Sequence, residues 1–295
     1  MERVSPRLRV AVQKSGRLSD KSMDLLREAG FRPVNTKNAL AARVENFPVD
    51  LLFVRDDDIP TFVGNGACDF GIVGRNVLEE HALRGDDNFA VVAPLGFGKC
   101  ALKIAGPKDM KYEGPASLAG LRIATTYPRL LARFLKENNV DASVVRMSGA
   151  VELAPRLHMA DVICDLVSTG ATLEANGLVP LDTVLESEAL LVRSRRSLDP
   201  TLVHVAEMMQ ARIDGVLATK ESKYIMMNAP ESALDRICEI LPGADSPTVL
   251  PLAGRKGHVA VHAVCQESVF WETLQKLKDA GASAILVLPI EKMLM

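Results

Sequence analysis

The sequence predicts an α/β protein followed by a small, separate domain of ferredoxin-like type. Over roughly the first two hundred residues, short apolar runs alternate with segments of helical periodicity, as strands and helices do in an α/β fold. From residue 222 onward the order changes to strand, helix, strand, strand, helix, strand. A chain of 295 residues is also longer than one ordinary core, so we expect two or three domains.

Two series of elements make up the α/β part. The first is expected at 8–12, 21–29, 51–54, 59–65 and 69–73. The second begins near Cys100 and is expected at 101–105, 121–124, 128–138, 143–147 and 162–167. The apolar run 189–192 and the amphipathic segment 200–217 then complete the first series, so the chain leaves that series and later returns to it.

The last part of the chain is assigned from its pattern alone. Strands are expected at 224–227, 248–252, 259–264 and 284–288, and helices at 231–241 and 267–280. Residues 254–257 give the middle hairpin its turn. An apolar stripe on the second helix is formed by Val269, Phe270, Leu274 and Leu277. Such domains often bind amino-acid effectors between subunits, but the fold alone does not establish that function.

The composition excludes several classes of protein. Hydrophobic residues at 48% against 24% charged residues are typical of a soluble globular chain, and no apolar run approaches the roughly eighteen residues that span a membrane. A net charge of −2 provides no basic excess for nucleic acid. The amino terminus lacks the apolar region of a secretory signal, and the five cysteines are scattered without C-x-x-C spacing. We therefore expect a cytoplasmic protein without a disulfide framework or a zinc site.

A small, hydroxyl-rich turn follows the strand at 162–167. The turn consists of Ser168, Thr169, Gly170, Ala171 and Thr172. Gly170 permits close backbone approach, and hydroxyls beside the free N–H groups of a helix start suit a phosphate. Asp165 is placed to face sugar hydroxyls or a metal bound to the ligand. Taken alone, the motif fits an ordinary helix N-cap equally well.

A second candidate turn follows the first strand. Lys14 and Arg17 flank Gly16 at the carboxyl end of the strand, where α/β folds place ligands, and both cations suit a phosphate. The alternative is a solvent-facing basic turn, and we favour the ligand role. The segment 69–74 is ambiguous, because alternating apolar residues with two glycines also fit a closely packed buried strand.

Two further clusters are better explained by structure than by metal binding. The acidic run Asp56–Asp58 precedes Pro60, so we expect helix capping and complementation of the helix dipole. His258 and His262 are four residues apart, but the valines around them indicate a strand with the histidines on its polar face.

Several segments occur in the order found in one enzyme family. They are 13–18, 69–74 with Asn76, 123–128, 161–174, 246–249 and 281–287. Together they resemble the ATP phosphoribosyltransferases, which open histidine biosynthesis, in the long form that carries its own regulatory domain. The resemblance implies a two-lobed catalytic part like the periplasmic binding proteins. Lobe I would be residues 1–97 and 185–221, lobe II residues 98–184 with the phosphoribosyl-diphosphate loop, and the regulatory domain residues 222–295.

The implied reaction joins N1 of the adenine of ATP to the anomeric carbon of phosphoribosyl diphosphate and releases pyrophosphate. Neutral adenine N1 carries no proton, so no strong general base is needed, and catalysis depends on positioning and charge stabilisation. Mg²⁺ would be carried mainly by the diphosphate, and its protein ligands stay undetermined.

The resemblance also implies roles for individual residues. The expected catalytic residues are Asp165, Arg17 and Lys14. The residues expected to bind phosphoribosyl diphosphate are Ser168, Thr169, Gly170, Ala171, Thr172 and Glu152. Those expected to bind ATP are Gly16, Gly74, Asn76 and Tyr127, although Tyr127 also fits a half-buried helix cap.

For the last domain, the resemblance implies L-histidine as a feedback inhibitor and a homo-oligomer, dimer and hexamer, with a symmetric hexamer as the full assembly. The expected histidine-binding residues are Asn228, Ser246, Thr248 and Ala284, although Ser246 to Thr248 also fits the plain start of a strand. A non-catalytic ligand sensor or a catalytically silent regulatory paralogue is the alternative. The lack of a signal peptide and of a basic helix-turn-helix segment weighs against the sensor, and the intact Lys14, Arg17, Asp165 and 168–172 loop weigh against the silent paralogue.

Overall fold

The computed structural model describes residues 6–34, 39–85, 87–220, 222–241, 247–291 and 293. The chain divides into two compact units. One consists of residues 1–27 and 31–206, and the other of residues 28–30 and 207–295. Ser246 lies outside the described residues.

The first sheet of the larger unit has six strands, in the order β2-β3-β1-β4-β11-β5. They are β1 (Leu8–Gln13), β2 (Ala41–Arg43), β3 (Val49–Val54), β4 (Phe70–Gly74), β5 (Phe89–Pro94) and β11 (Ala189–Ser194), and the accompanying helices are α1 (Ser19–Glu28), α2 (Ile59–Gly64) and α3 (Arg75–Ala82). β1 pairs in parallel with β3 and β4. β4 pairs in parallel with β1 and antiparallel with β11, and it is buried throughout, as a central strand is when both faces of its sheet are covered. We call this sheet with its three helices lobe I.

The second sheet has five strands, in the order β10-β6-β9-β7-β8. They are β6 (Cys100–Pro107), β7 (Arg122–Thr125), β8 (Ser143–Arg146), β9 (Val162–Val167) and β10 (Leu178–Ser187), accompanied by α4 (Pro128–Glu137) and α5 (Ala171–Ala175). Adjacent residues Ile123 and Ala124 belong to different core clusters, because successive side chains of a strand point to opposite faces. Both faces of this sheet are therefore packed. We call this sheet with its two helices lobe II.

The chain crosses between the lobes at two places. Residues 95–99 connect β5 to β6, and Glu188 connects β10 to β11. Gly98 has a φ of +67° and packs against Leu18 so closely that an added Cβ would collide with it. Glycine is therefore required at this crossing both for the backbone and for space.

The C-terminal unit contains a four-stranded antiparallel sheet, in the order β13-β14-β12-β15. After α6 (Pro200–Lys220), its elements are β12 (Ser222–Pro230), α7 (Leu234–Ile240), β13 (Thr248–Pro251), β14 (His258–Gln266), α8 (Glu267–Asp279) and β15 (Ser283–Pro289). This order confirms the ferredoxin-like prediction.

The core of this unit lies on one face of its sheet. Ile225 and Val261 from the strands pack in one cluster with Ile237 and Leu277 from the helices. Of the predicted stripe on α8, Leu277 is buried and Leu274 packs against the cluster, while the side chains of Val269 and Phe270 lie outside the described ones. Within the described part of the chain, no helix is both long and apolar enough to span a membrane.

Candidate active site at the carboxyl ends of the strands

The hydroxyl-rich turn joins β9 to α5 at the surface of lobe II. Ser168, Thr169 and Thr172 are exposed, and among the described residues their hydroxyls form no hydrogen bond with the protein. Gly170 has a φ of +82° and open space where a Cβ would point. Because α5 has only five residues, its dipole contributes little, and the binding capacity of the turn lies in its hydroxyls and N–H groups.

Asp165 lies on β9 just before this turn, and its Oδ1 accepts a hydrogen bond of 2.8 Å from the N–H of Leu166. Burial raises the pKa of Asp165, and the negative charge of Glu152 raises it further. The Leu166 N–H and the positive charge of Arg17 act in the opposite direction. The structure therefore brings Asp165, Glu152 and Arg17 into one electrostatic neighbourhood, with Arg17 coming from lobe I.

The turn from β1 to α1 carries Lys14, Gly16 and Arg17. Gly16 has a φ of +120°, and an added Cβ would lie 2.6 Å from the side-chain nitrogen of Gln13. The Oε1 of Gln13 in turn accepts a hydrogen bond of 2.9 Å from the N–H of Leu18, so the side chain of Gln13 braces the turn from inside. Lys14 and Arg17 are exposed at its surface. Lys14 lines a cavity of about 550 Å³ on lobe I and does not share it with the 168–172 turn.

Sequence reasoning missed two lysines beside the hydroxyl-rich turn. Lys99 and Lys103 line a cavity of about 450 Å³ together with Ser168, Thr169 and Gly170. The register explains their position, because Ala101 on β6 pairs with Val167 on β9. Residues 99–103 and 168–170 are distant in sequence. Lys99 and Lys103 could therefore be assigned to this site only once the antiparallel pairing of β6 with β9 is known.

A third cavity, of about 430 Å³, lies between the lobes. Its lining includes Asp57 and Glu80 from lobe I and Tyr127 and Arg146 from lobe II. Arg146 was not predicted, although it ends a strand and thus lies where α/β folds bind ligands. The cavity thus joins the carboxyl ends of β3, β7 and β8.

The prediction that the Asp56–Asp58 side chains cap a helix is wrong. Neither the turn that they form nor α2 has a side-chain hydrogen bond at its N-terminus. The three carboxylates line the cavity between the lobes instead, and burial raises the pKa of Asp57, with repulsion from Asp56 and Asp58 adding to it. Within the described residues, no three His, Cys, Asp or Glu side chains are arranged to hold a metal ion.

The expected ATP residues Gly74, Asn76 and Tyr127 lie together, with Gly74 and Asn76 buried and Tyr127 half-buried. Asn76 is only 3% exposed. Its Nδ2 donates to the hydroxyl of Tyr127 at 3.0 Å, and its Oδ1 accepts from the hydroxyl of Ser187 at 2.7 Å. A Cβ at Gly74 would lie 2.6 Å from the same Oδ1. Burial raises the pKa of Tyr127 well above its usual value. Both polar atoms of the Asn76 side chain are thus already bonded within the protein.

Two of the expected regulatory residues, Thr248 and Ala284, lie on opposite edges of the C-terminal sheet. Thr248 begins the edge strand β13, and Ala284 lies near the start of the other edge strand, β15. Ala284 has a φ of +49°, beside an irregularity in the pairing of β12 with β15. Asn228 is on β12 between them, and its carbonyl accepts a hydrogen bond from the Ser283 hydroxyl at 3.4 Å. Three strand spacings, about 14 Å, separate the two edges.

Comparison with known proteins gives two matches to family models and several to relatives. The model described as ATP phosphoribosyltransferase matches residues 55–215, and that described as HisG, C-terminal domain, matches residues 219–292. An ATP phosphoribosyltransferase from Maricaulis maris (strain MCS10) is 52% identical over 293 residues, covering 99% of this chain and 100% of the relative.

Solved structures agree with these matches. A chain of the ATP phosphoribosyl transferase (HisG:HisZ) complex from Thermotoga maritima is 26% identical with a TM-score of 0.59, and the match covers 70% of this chain and 98% of that one. Fold and relatives together define a pentosyltransferase, an enzyme that transfers a ribosyl group. The chain belongs to the ATP phosphoribosyltransferase family, in the long form with a C-terminal domain.

Proposed function

We propose that the chain joins ATP to phosphoribosyl diphosphate at the carboxyl ends of the strands of the two lobes. The lone pair of adenine N1 forms the bond to the anomeric carbon while the bond from that carbon to the diphosphate breaks, which releases pyrophosphate. The products are phosphoribosyl-ATP and pyrophosphate. The observation that carries the proposal is the exposed 168–172 turn, whose hydroxyls have no partner among the described residues, directly after Asp165.

In this mechanism the turn holds a phosphate group of phosphoribosyl diphosphate through Ser168, Thr169 and Thr172 and the N–H groups around Gly170. Asp165 accepts hydrogen bonds from the ribose hydroxyls and stabilises the positive charge that develops on the sugar. Arg17, with Lys14 on the same turn, supplies positive charge from lobe I for the phosphates of the substrates. Lys99 and Lys103 add positive charge beside the loop.

Mg²⁺ fits this site as a companion of the substrate. Asp165 and Glu152 are the carboxylates that would hold it, and two such groups suit an ion that otherwise keeps waters and phosphate oxygens. When bound, it would neutralise charge on the departing diphosphate.

We further propose feedback inhibition by L-histidine, bound where two copies of the C-terminal domain meet. Support comes from the separation of Thr248 and Ala284 on opposite edges of one sheet, since a single small amino acid reaches both only if the edges belong to different copies. Asn228 would contribute beside Ala284.

The sheet face away from the helices supports the proposal of a homo-oligomer, dimer and hexamer. Leu250, Leu286 and Leu288 lie on this face and are 50%, 49% and 47% exposed. Exposed leucines on both edge strands of one sheet face are typical of a surface that a further subunit covers. We propose a cytoplasmic location. All five cysteines are free, which is typical of proteins in a reducing compartment.

The direct test is turnover by the purified protein with ATP, phosphoribosyl diphosphate and Mg²⁺, with pyrophosphatase present and with or without L-histidine. Formation of phosphoribosyl-ATP that histidine suppresses supports both the reaction and the regulation. Activity that histidine leaves unchanged removes the effector proposal, and absence of product removes the proposed reaction.

A further inference from the structure

The buried carboxylate of Glu80 connects lobe I to lobe II. Glu80 lies on α3 and its side chain is 8% exposed. It accepts hydrogen bonds from the N–H of Arg129 at 3.1 Å and from the N–H of Leu130 at 2.9 Å, and it pairs with the guanidinium of Arg129 at 3.4 Å. Both nitrogens of these N–H groups are in the first turn of α4, which belongs to lobe II.

The sequence of α4 explains why the N–H groups of its first turn need a hydrogen-bond acceptor from another element. The helix begins at Pro128, which has no N–H, and the preceding residue Tyr127 provides no side-chain cap. The N–H groups of Arg129 and Leu130 are therefore orphan donors of the first helical turn. A carboxylate is the most favourable acceptor there because it also complements the positive end of the helix dipole. Glu80 thus caps a helix of the other lobe.

Asn76 lies one turn before Glu80 on α3, so both side chains project from the same face of the helix. Asn76 bonds to Tyr127, the residue just before α4, and to Ser187, the last residue of β10. We call Asn76, Glu80, Tyr127 and Ser187, with the first turn of α4, the α3–α4 seam. A second pair, Glu79 with Arg133 at 2.8 Å, crosses the same seam but is 28% and 35% exposed.

The α3–α4 seam lies at the carboxyl ends of the strands, where phosphoribosyl transfer is proposed to take place. α3 starts directly after the carboxyl end of β4, and α4 starts within three residues of the carboxyl end of β7. The seam thus joins the lobes at the ends of the strands where the proposed substrates bind. A shift at this point changes the separation of Arg17 on lobe I from Asp165 on lobe II.

We propose that the α3–α4 seam sets the spacing of the two lobes and that Glu80 is a positioning residue for phosphoribosyl transfer. This rests on the proposed function and extends it. Although Glu80 borders the cavity between the lobes, both of its oxygens are bonded to α4, so it acts through the helix and not by contact with substrate.

The test compares Glu80→Gln with Glu79→Gln, a matched change on the same helix at the partly exposed ion pair with Arg133. The amide of Gln keeps the shape of Glu but loses the negative charge that complements the helix dipole, and its NH₂ group replaces the oxygen that pairs with the guanidinium of Arg129, so the cap weakens. Misplacement of reacting groups by about 1 Å costs on the order of 100-fold in rate. We expect kcat to fall by about 10- to 100-fold in Glu80→Gln and by less than about twofold in Glu79→Gln, with the dissociation constant of Mg–phosphoribosyl diphosphate within about threefold of wild type in both.

Hydrogen exchange provides a readout that does not depend on turnover. The amides of Arg129 and Leu130 should exchange at least about tenfold faster in Glu80→Gln and at the wild-type rate in Glu79→Gln, because only the first variant replaces their charged acceptor with a weaker, neutral one. A folded Glu80→Gln protein with normal kcat, or with normal exchange at these amides, overturns the proposal. A loss confined to substrate affinity also overturns it, because Glu80 would then contact substrate. If the wild type makes no phosphoribosyl-ATP, the proposed function fails while the exchange experiment still tests the seam.

Discussion

Two strand-to-helix turns in the catalytic part carry similar residues but differ in what surrounds them. The turn from β4 to α3 contains Gly74 and Asn76, and the turn from β9 to α5 contains Ser168 to Thr172. In the first, the polar side chain is buried and bonded to the opposite lobe. In the second, the hydroxyls are exposed and, among the described residues, have no partner in the protein.

The comparison teaches that small and polar residues after a buried strand do not by themselves identify a ligand site. Both turns have the glycine and the side-chain donors that a phosphate site needs. Whether those donors are available depends on the element packed against them, which for Asn76 is the end of β10 and the residue just before α4. The first turn therefore supports positioning of the lobes, and the second supports binding.

Replacement of Thr172 by Val should give the largest effect on activity. The hydroxyl of Thr172 would donate to a charged phosphate oxygen, and hydrogen bonds of that kind contribute about 1.5–3 kcal/mol. We expect kcat/KM for phosphoribosyl diphosphate to fall by about 10- to 100-fold, with little change in thermal stability because the residue is exposed. Thr183→Val, at an exposed position of β10 in the same lobe, is the matched control and should retain wild-type kinetics. Equal kinetics for the two variants would remove the loop from the binding site.

Replacement of Asp165 by Asn should separate activity from stability. The pKa of Asp165 is raised in the folded protein, so its ionised form is lost as the pH falls through that raised value, and the acidic limb of kcat/KM should follow it. The Asp165→Asn variant should have low activity, and its kcat/KM should no longer fall as the pH is lowered through this range. Since the folded state binds the proton more tightly than the unfolded state, ionisation of Asp165 at neutral pH disfavours folding, and the Asn variant should unfold at a higher urea concentration.

The control for Asp165 is Asp161→Asn, at the start of the same segment. Its pKa is lowered by the hydrogen bonds from Arg122, so that carboxylate favours folding above its unfolded pKa and loses the effect as the pH falls through the folded value. This variant should keep the acidic limb and lose some stability at neutral pH. A lower urea midpoint for Asp165→Asn than for wild type would contradict the assignment.

Replacement of Asn76 by Ala tests the other turn. It removes the donor to the half-buried hydroxyl of Tyr127 and the acceptor of the buried Ser187 hydroxyl, which keeps only the backbone N–H of residue 76, and this costs about 1–3 kcal/mol of unfolding free energy. Urea unfolding measures this loss, and kcat should fall more than the KM for ATP rises. Unchanged stability with a KM for ATP raised tenfold or more would instead make Asn76 an ATP ligand.

The smallest effect is expected for the partly exposed pair Glu79 and Arg133. A double-mutant cycle with Glu79→Gln and Arg133→Gln should give a coupling of about 0.2–1 kcal/mol in unfolding free energy, because solvent screens the pair. The coupling should weaken in 0.5 M salt. A coupling as large as the loss in Asn76→Ala would mean that the buried part of the seam is not its main support.

Much of the fold followed from periodicity. β1, β3 and β4 are short apolar runs between turn residues, and this pattern predicts strands. The ferredoxin-like order could be predicted because its strands and helices follow one another with only short connections. β10 was missed because Pro180 and two irregularities in its pairing with β6 interrupt the period of two that marks a strand. The short helix α3 was missed as well, since its eight residues follow β4 without an intervening loop.

The site was predictable only where it is local in sequence. The 168–172 turn and the Lys14 to Arg17 turn could be proposed because glycine, hydroxyls and cations stand together after a strand. Lys99 and Lys103 could not, because strand register and not sequence spacing brings them to the loop. The bonding of Asn76 across the lobes was hidden for the same reason, since its partners are 51 and 111 residues away.

The central claim is that one turn binds substrate and the other positions the lobes. Equilibrium binding of Mg–phosphoribosyl diphosphate to wild type, Thr172→Val and Asn76→Ala, measured side by side by titration calorimetry, tests it most directly. The account predicts a dissociation constant raised at least about tenfold in Thr172→Val and within about threefold of wild type in Asn76→Ala. Unchanged binding in Thr172→Val together with a large loss in Asn76→Ala would contradict it.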